Sequence, residues 1–270
     1  MNEKAHDYLT QTTFKSDLFA NQGVLVTGAA RGIGAGIAQA FAALGANVVV
    51  ADIDSSGLEA QLKTATDLPG TMTAVTGDLS EPGAVDRVFD AALESAGAIH
   101  VLVNNAGRSW GVATEDIDEA RTQELIDLNL KSVLFLSRRL VLHARRRGGG
   151  GSILQISSTA GITGFQRRAV YTATKFGVIG LTKVLALDHA REGIRVNAIL
   201  PHVVETEMLR TVAQAHEIEL WLAGIPMCRF ASIADVAALA VFLSSPAAAY
   251  LTGGSYAVDG GATAGPYGNG

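Results

Sequence analysis

Residues 24–52 limit what this chain can fold into more than any other stretch. Val24-Leu25-Val26-Thr27 is a short apolar, β-branched run that gives way to Gly28-Ala29-Ala30-Arg31-Gly32-Ile33-Gly34. Ile37, Ala38, Phe41, Ala42 and Leu44 then recur at helical spacing up to Gly45, which predicts a helix closed by a glycine C-cap. Val48-Val49-Val50-Ala51 reads as a buried strand that ends in Asp52. Strand, glycine turn, helix and strand form one βαβ unit. Its glycines permit a tight turn, let backbone approach a pyrophosphate and let the helix pack closely on the strand. The helix N-terminus attracts phosphate charge. Asp52 lies about 20 residues beyond the glycines, where a dinucleotide fold places the acid that accepts from ribose hydroxyls. A carboxylate there repels a 2′-phosphate, so NAD is expected over NADP. Arg31 pulls the other way, because a guanidinium at this turn can pair with that phosphate.

The alternation of strands and helices continues. Thr73-Ala74-Val75-Thr76-Gly77 reads as a strand ending at Asp78-Leu79, and Ser80, with Pro82 just inside, is expected to open a helix through Val85, Val88, Phe89 and Leu93. Ile99 to Val103 is the next strand and runs into Asn104-Asn105-Ala106-Gly107. Paired asparagines there serve either as turn chemistry or as ties between neighbouring strand ends. A long helical stretch runs from 119 to 147 and holds Asn129 among Leu125, Leu128, Val133 and Leu136. A polar amide on an apolar face needs partners, and structural and catalytic readings both stay open. Arg145-Arg146-Arg147 before Gly148 complement a helix C-terminus. Ser152 to Ser157 and Ile194 to Leu200 read as strands, the latter ending at Pro201. Residues 206–222 form an amphipathic helix that suits a mobile cover over a pocket. Ser232 caps a helix to Leu243 with Asp235 at its third position, and Tyr256 to Val258 is a last strand. No repeat or linker divides the chain: a polar arm (1–20) and a glycine-rich tail (263–270) flank one domain (21–262).

Composition narrows the function classes. Hydrophobic residues make up 48% and charged ones 17%, with 30 glycines, which fits close helix–sheet packing and not disorder. A net charge of −5 argues against a general nucleic-acid surface. A single cysteine, Cys228, excludes an internal disulfide and fits a reducing compartment. The first residues lack the apolar core of a signal peptide, and no long uncharged apolar run suggests a membrane span. A soluble cytoplasmic protein without a metal site is expected.

Tyr171 and Lys175 are four apart, so on a helix both side chains share a face. An ammonium beside a phenol favours the phenolate and should lower its pKa toward a working range. Ser158, just past the strand at 152–157, can sit opposite Tyr171 across the strand-to-helix crossing. Together they are proton-transfer equipment for a carbonyl or hydroxyl. A Tyr-x-x-x-Lys spacing by itself is equally a surface helix pair.

Taken in order, Thr27-Gly28-x-x-x-Gly32-Ile33-Gly34, Asn104-Asn105-Ala106-Gly107, Asn129, Ser158, Tyr171-x-x-x-Lys175 and Arg195-Val196-Asn197 resemble the short-chain dehydrogenase/reductase family over about residues 20–262. The resemblance implies an α/β Rossmann-type doubly wound parallel sheet of seven strands, ordered 3-2-1-4-5-6-7, with helices on both faces. It implies NAD(P)-dependent interconversion of an alcohol and a carbonyl, and a homotetramer built from the long helices near 119–147 and 169–190 and the C-terminal segment. In this likeness Tyr171 is the general acid/base and Lys175 lowers its pKa and bonds the nicotinamide ribose. Ser158 holds the substrate oxygen, and Asn129 positions a water in a proton relay. The cofactor is expected against Gly28, Arg31, Gly32, Ile33, Gly34, Asp52 and Ile53. Asp78 and Leu79 should flank the adenine, Asn105, Ala106 and Gly107 the adenosine side, and Pro201, Val204 and Thr206 the carboxamide end.

One departure stands out: the family has Pro-Gly where this chain has Pro201-His202. Histidine is either turned to solvent or placed to hydrogen-bond a polar substrate. Arg108, Arg167 and Arg168 are expected near the pocket mouth, with Trp110 and Trp221 as candidate walls. Guanidinium groups recognise carboxylate or sulfonate bidentately. The expected substrate is therefore a polyol, sugar or anionic sugar (a sugar acid or sulfonated sugar) oxidised with NAD. The alternatives are an NADPH-dependent ketone or 3-oxoacyl reductase and, in another class, a non-enzymatic dinucleotide sensor.

Overall fold

The computed structural model describes residues 14–206 and 215–265, with backbone alone at 215–217. The polar arm up to 13, residues 207–214 of the expected cover helix and the tail from 266 lie outside the described residues.

β1 (Gly23–Thr27) is buried along its whole length, and alternate residues serve opposite cores. Val24 and Val26 face a layer that includes Ile37, Phe41, Val236 and Val241, while Leu25 faces Phe89, Leu136 and Leu140. Such two-sided burial is why the strands read as continuous apolar runs. β1 leads through the glycine turn into α1 (Gly32–Ala43), β2 (Asn47–Asp52), α2 (Ser55–Thr64) and β3 (Thr71–Thr76). Then come α3 (Ala84–Ala96), β4 (Val101–Asn104), α4 (Glu119–Ile126), a π turn at Asp127–Lys131 and α5 (Ser132–Arg147). β5 (Gly151–Ile156), α6 (Ala169–His189), β6 (Ile194–Pro201), α7 (Ala215–Ala223), α8 (Ile233–Ser244) and β7 (Ser255–Val258) complete the chain.

All seven strands form one parallel sheet in the order β3-β2-β1-β4-β5-β6-β7, as the resemblance implies. α1 and α8 pack on one face, so closely that a Cβ at Gly36 would lie 2.0 Å from Ile233 Cγ2. α3 and α5 cover the other. The strand order reverses between β1 and β4, which opens a crevice at the carboxyl ends of these strands. Phe19, fully buried, stacks edge-on against Phe41 at 4.8 Å, so the end of the N-terminal arm packs on the body.

Two boundaries differ from expectation. α2 gave no clear pattern because Leu58 is its one buried residue; Asp54 caps it by accepting from the Gly57 N–H. α3 starts at Ala84 rather than after Ser80, with left-handed Gly83 at the N-cap. Ser80 is instead bonded to Asp78.

Candidate active site

The turn after β1 is held against the end of β4. The Asn105 side-chain amide donates to the carbonyls of Thr27 (3.0 Å) and Gly28 (2.9 Å), and the Thr27 hydroxyl accepts from the N–H groups of Asn105 (3.1 Å) and Ala106 (3.2 Å). The paired asparagines are therefore ties between strand ends; Asn104 is buried and donates to Gln155 Oε1 at 2.9 Å. Gly28 has φ +63°, and a Cβ at Gly34 would lie 2.3 Å from the Gly28 carbonyl oxygen, so both positions need glycine. Arg31 at the N-cap of α1 provides no side-chain cap. The N-cap side chain thus leaves the first-turn N–H groups of α1 uncapped, which is the provision a pyrophosphate requires. The Thr206 methyl lies 3.6 Å from where a Cβ on Gly32 would be, and buried Val204 bridges to Ala231. The expected cofactor residues at the two ends of the crevice are thereby brought together.

Asp52 sits at the tip of β2, its two oxygens accepting from the N–H groups of Ala30 and Asp54, each at 3.0 Å. Arg31 does not stand free for a phosphate: its guanidinium pairs with Asp54 at 2.9 Å. Hydrogen bonds from Ser56 and Gly57 hold the Asp54 carboxyl below its ordinary range, and Arg31 adds to this. Asp54, which was not among the expected residues, stands beside Asp52 and takes Arg31; its signal was a second acid two positions after Asp52. Ile53 between them is exposed. Burial pushes the Asp78 carboxyl up, but two hydrogen bonds from Ser80 and the charge of Arg108 outweigh it and leave the pKa lowered. Leu79 is buried.

At the other side of the crevice β5 delivers Ser158 and α6 delivers Tyr171 and Lys175. The Lys175 ammonium is buried and donates to the Ile156 carbonyl at 2.9 Å. Ser157 fixes the same turn of helix by donating to the Lys175 carbonyl at 3.0 Å. Burial depresses the Lys175 pKa to about 8. Its nitrogen lies 5.7 Å from the centre of the Tyr171 ring. The phenol pKa is not lowered, contrary to expectation: burial raises it, with the Ser158 hydroxyl and the Arg168 charge acting against that rise. Lys175 is turned onto a backbone carbonyl and does not cancel the desolvation of the phenol. Asn129, buried in the π turn, is fully engaged. Its Oδ1 accepts from the Arg108 N–H (2.9 Å), and its Nδ2 donates to the Arg108 carbonyl (2.8 Å) and the Thr174 hydroxyl (3.3 Å). The amide therefore clamps the loop after β4 onto the π turn and α6. A Cβ on Gly107 would lie 3.1 Å from Asn129 Oδ1 and 3.7 Å from Lys175 Nζ, so the three residues converge.

The three arginines separate. Arg168 Nη1 donates to the Ser109 hydroxyl at 2.8 Å and lies over Gly111, beside the phenol. The charge of Arg108 acts on Asp78. Arg167, exposed with φ +59°, contributes its carbonyl to the Val112 N–H. Trp110 carries Arg121 over its ring at 5.2 Å, and Trp221 is 39% exposed on α7. His202, after Pro201, is half-buried against Phe165, ring centres 5.9 Å apart, and its Nδ1 is 2.9 Å from the Thr159 hydroxyl. That hydroxyl has no other acceptor among the described residues, so it donates to Nδ1 and the ring proton sits on Nε2. Burial keeps His202 neutral by lowering its pKa, against the opposing charge of Asp259.

The geometry is thus a phosphate-ready glycine turn facing a serine–tyrosine–lysine set across one crevice. Residues 28–263 match the family model described as "Enoyl-(Acyl carrier protein) reductase". The chain is 35% identical to the cyclohexanol dehydrogenase of an Acinetobacter species over 91% of its own length and 96% of that protein's. It is 37% identical to the D-threitol dehydrogenase of Mycolicibacterium smegmatis, covering 88% and 92%. Among solved structures it is similar to a putative 2-deoxy-D-gluconate 3-dehydrogenase of Agrobacterium tumefaciens with bound NADP, with TM-score 0.85, 35% identity and 93% and 100% covered. With this fold, these motifs and these relatives, the chain belongs to the short-chain dehydrogenase/reductase family of oxidoreductases.

Proposed function

We propose that the protein is an NAD-dependent dehydrogenase of a polyol, sugar or anionic sugar. The observation that carries the redox reading is the convergence of Tyr171, Ser158, buried Lys175 and Gly107 on the crevice below the glycine turn. A bound nicotinamide dinucleotide supplies or accepts the hydride. The chain's own part is to hold the substrate oxygen against Ser158 and to move one proton at that oxygen through the Tyr171 phenol. In the reducing direction the phenol, kept protonated by burial, is ready as the acid. In the oxidising direction it has to lose its proton first, which Ser158 and Arg168 favour. Lys175 orders the floor of the site through Ile156, and Asn129 shapes its wall through Arg108.

NAD is favoured because Asp52 and Asp54 put two carboxylates at the ribose end, and Asp54 already takes the one arginine at the turn. The relative with NADP shows why this needs a direct test. Polar substrates are favoured by Arg168 beside the phenol and by the Nε2–H of His202. Turnover of polyols, sugars and sugar acids with NAD, read as NADH absorbance, is expected, and Tyr171→Phe should lower kcat by about 10²–10⁴-fold. His202→Ala should raise KM for the polyol. Exclusive turnover of β-ketoacyl thioesters with NADPH would establish the reductase alternative, to which the description of the family model points. Dinucleotide binding without turnover on either panel would leave a sensor.

Self-association into a homotetramer is part of the same proposal. Leu134 and Phe135 on α5 and Phe176, Val184 and Leu187 on α6 are exposed apolar residues. Helix 169–192 contains an 18-residue window of mean hydropathy 1.3, long and apolar enough to cross a membrane by length and composition alone, but Lys175, Lys183 and Asp188 leave it no uncharged apolar run of that length. It carries Tyr171 and Lys175 and packs on β6, so we read its uncovered side as facing another subunit of a cytoplasmic enzyme. A solution mass equal to the monomer would retire that reading.

A further inference from the structure

A second polar cavity, of about 260 Å³, opens at the amino ends of β1, β4, β5 and β6, at the opposite edge of the sheet from the crevice. Its lining includes His100, Ser152, Arg195, Ser244 and Gln22, and no carboxylate. Ser152 and Ser244 are 3% and 8% exposed, and neither hydroxyl has a hydrogen-bond partner. A buried hydroxyl without a partner is costly, so two of them lining one cavity is an unmet demand for an acceptor. His100 accepts the Gly23 N–H on Nδ1 at 3.1 Å, which leaves its ring proton on Nε2. Arg195 bonds the carbonyls of Leu243 (2.5 Å), Ser245 (3.4 Å) and Leu251 (3.4 Å). Arg147 flanks the cavity through a bond to the Gly150 carbonyl, and its Nε is buried without a partner. Among the described residues neither arginine is in an ion pair. Helix C-termini meet here, and their carbonyls take part of this charge. Two whole positive charges still exceed two half-charges, and no carboxylate lines the cavity to balance them.

We propose that this cavity is a binding site for a small oxyanion, with Ser152, Ser244 and Arg195 as its donors. It is independent of the redox site and of the substrate reading. The test is calorimetric titration of the full chain, saturated with NADH so that the crevice is occupied, with inorganic phosphate and separately with acetate. One ion per chain is expected. Phosphate binding alone identifies a phosphate-type ligand, and acetate binding alone a carboxylate. The double variant Ser152→Ala/Ser244→Ala should weaken binding about tenfold with the fold retained, since charge-assisted bonds are lost while no partner is stranded. Ser244→Asp should abolish binding and raise Tm, because its carboxylate takes the place of the ion beside Arg195. Binding of neither ion, or affinities unchanged in both variants, would overturn the proposal.

Discussion

α1 and α8 lie against each other on one face of the sheet, yet their N-termini are built in opposite ways. α8 is closed on itself: the Ser232 hydroxyl accepts from the Asp235 N–H at 3.1 Å, and Asp235 accepts back from the Ser232 N–H at 2.8 Å. α1 begins Gly32-Ile33-Gly34 with no cap from its N-cap side chain, so it is not closed on itself as α8 is. A helix end that satisfies itself serves stability; one left open beside a cleft serves a ligand. The same contrast recurs at α6, whose N-cap Arg168 gives no capping bond and whose first turn carries Tyr171.

Closing the open end should have the largest effect. Gly34→Ala drives a Cβ into the Gly28 carbonyl, and dinucleotide affinity should fall by more than about 100-fold, measured by fluorescence titration. Unchanged affinity would erase the distinction between the two ends. Next comes the buried cation on the open side. Lys175 has a folded pKa of about 8 against 10.5 in the unfolded chain. Below pH 8 both states hold the proton and the burial penalty is fully present. Between 8 and 10.5 the unfolded state binds the extra proton, so wild-type stability rises with pH. Relative to Lys175→Met, the wild type should gain up to roughly 3 kcal/mol over that window in urea melts. A pH-independent difference would show that Lys175 is not desolvated.

Smaller effects sharpen the comparison. Asp52→Asn removes a charge at the ribose end, so the NAD/NADP ratio of kcat/KM should fall about tenfold, although the lost carboxylate also loosens the Ala30 and Asp54 amides. Ser232→Ala, at the closed end, should cost about 1 kcal/mol of stability and leave dinucleotide affinity untouched. A loss of affinity there would mean that the α8 cap supports the crevice through its contact with Gly36.

The first βαβ unit was legible because its signals are local: β-branched runs, glycines where backbone must approach backbone, and an acid at the next strand end. Ser232 and Asp235 were legible for the same reason. α2 was not, since one buried leucine makes no stripe, and Ser80 looked like a cap although its hydroxyl goes to Asp78. For Asn129 the sequence could say that partners were needed, not that they would be the Arg108 backbone and Thr174.

By itself the sequence determined the first βαβ unit, its glycine turn and the shared helical face of Tyr171 and Lys175, because each depends on spacing along a strand or helix; the seven-strand order and the roles of Ser158, Tyr171 and Lys175 came from the likeness of its motifs to a family. Only the tertiary structure decided that Arg31 belongs to Asp54, that one arginine of three stands by the phenol, and that burial raises Tyr171 while lowering Lys175. Pairing, direction and desolvation depend on what distant segments bring within a few ångströms, and no local pattern encodes that distance.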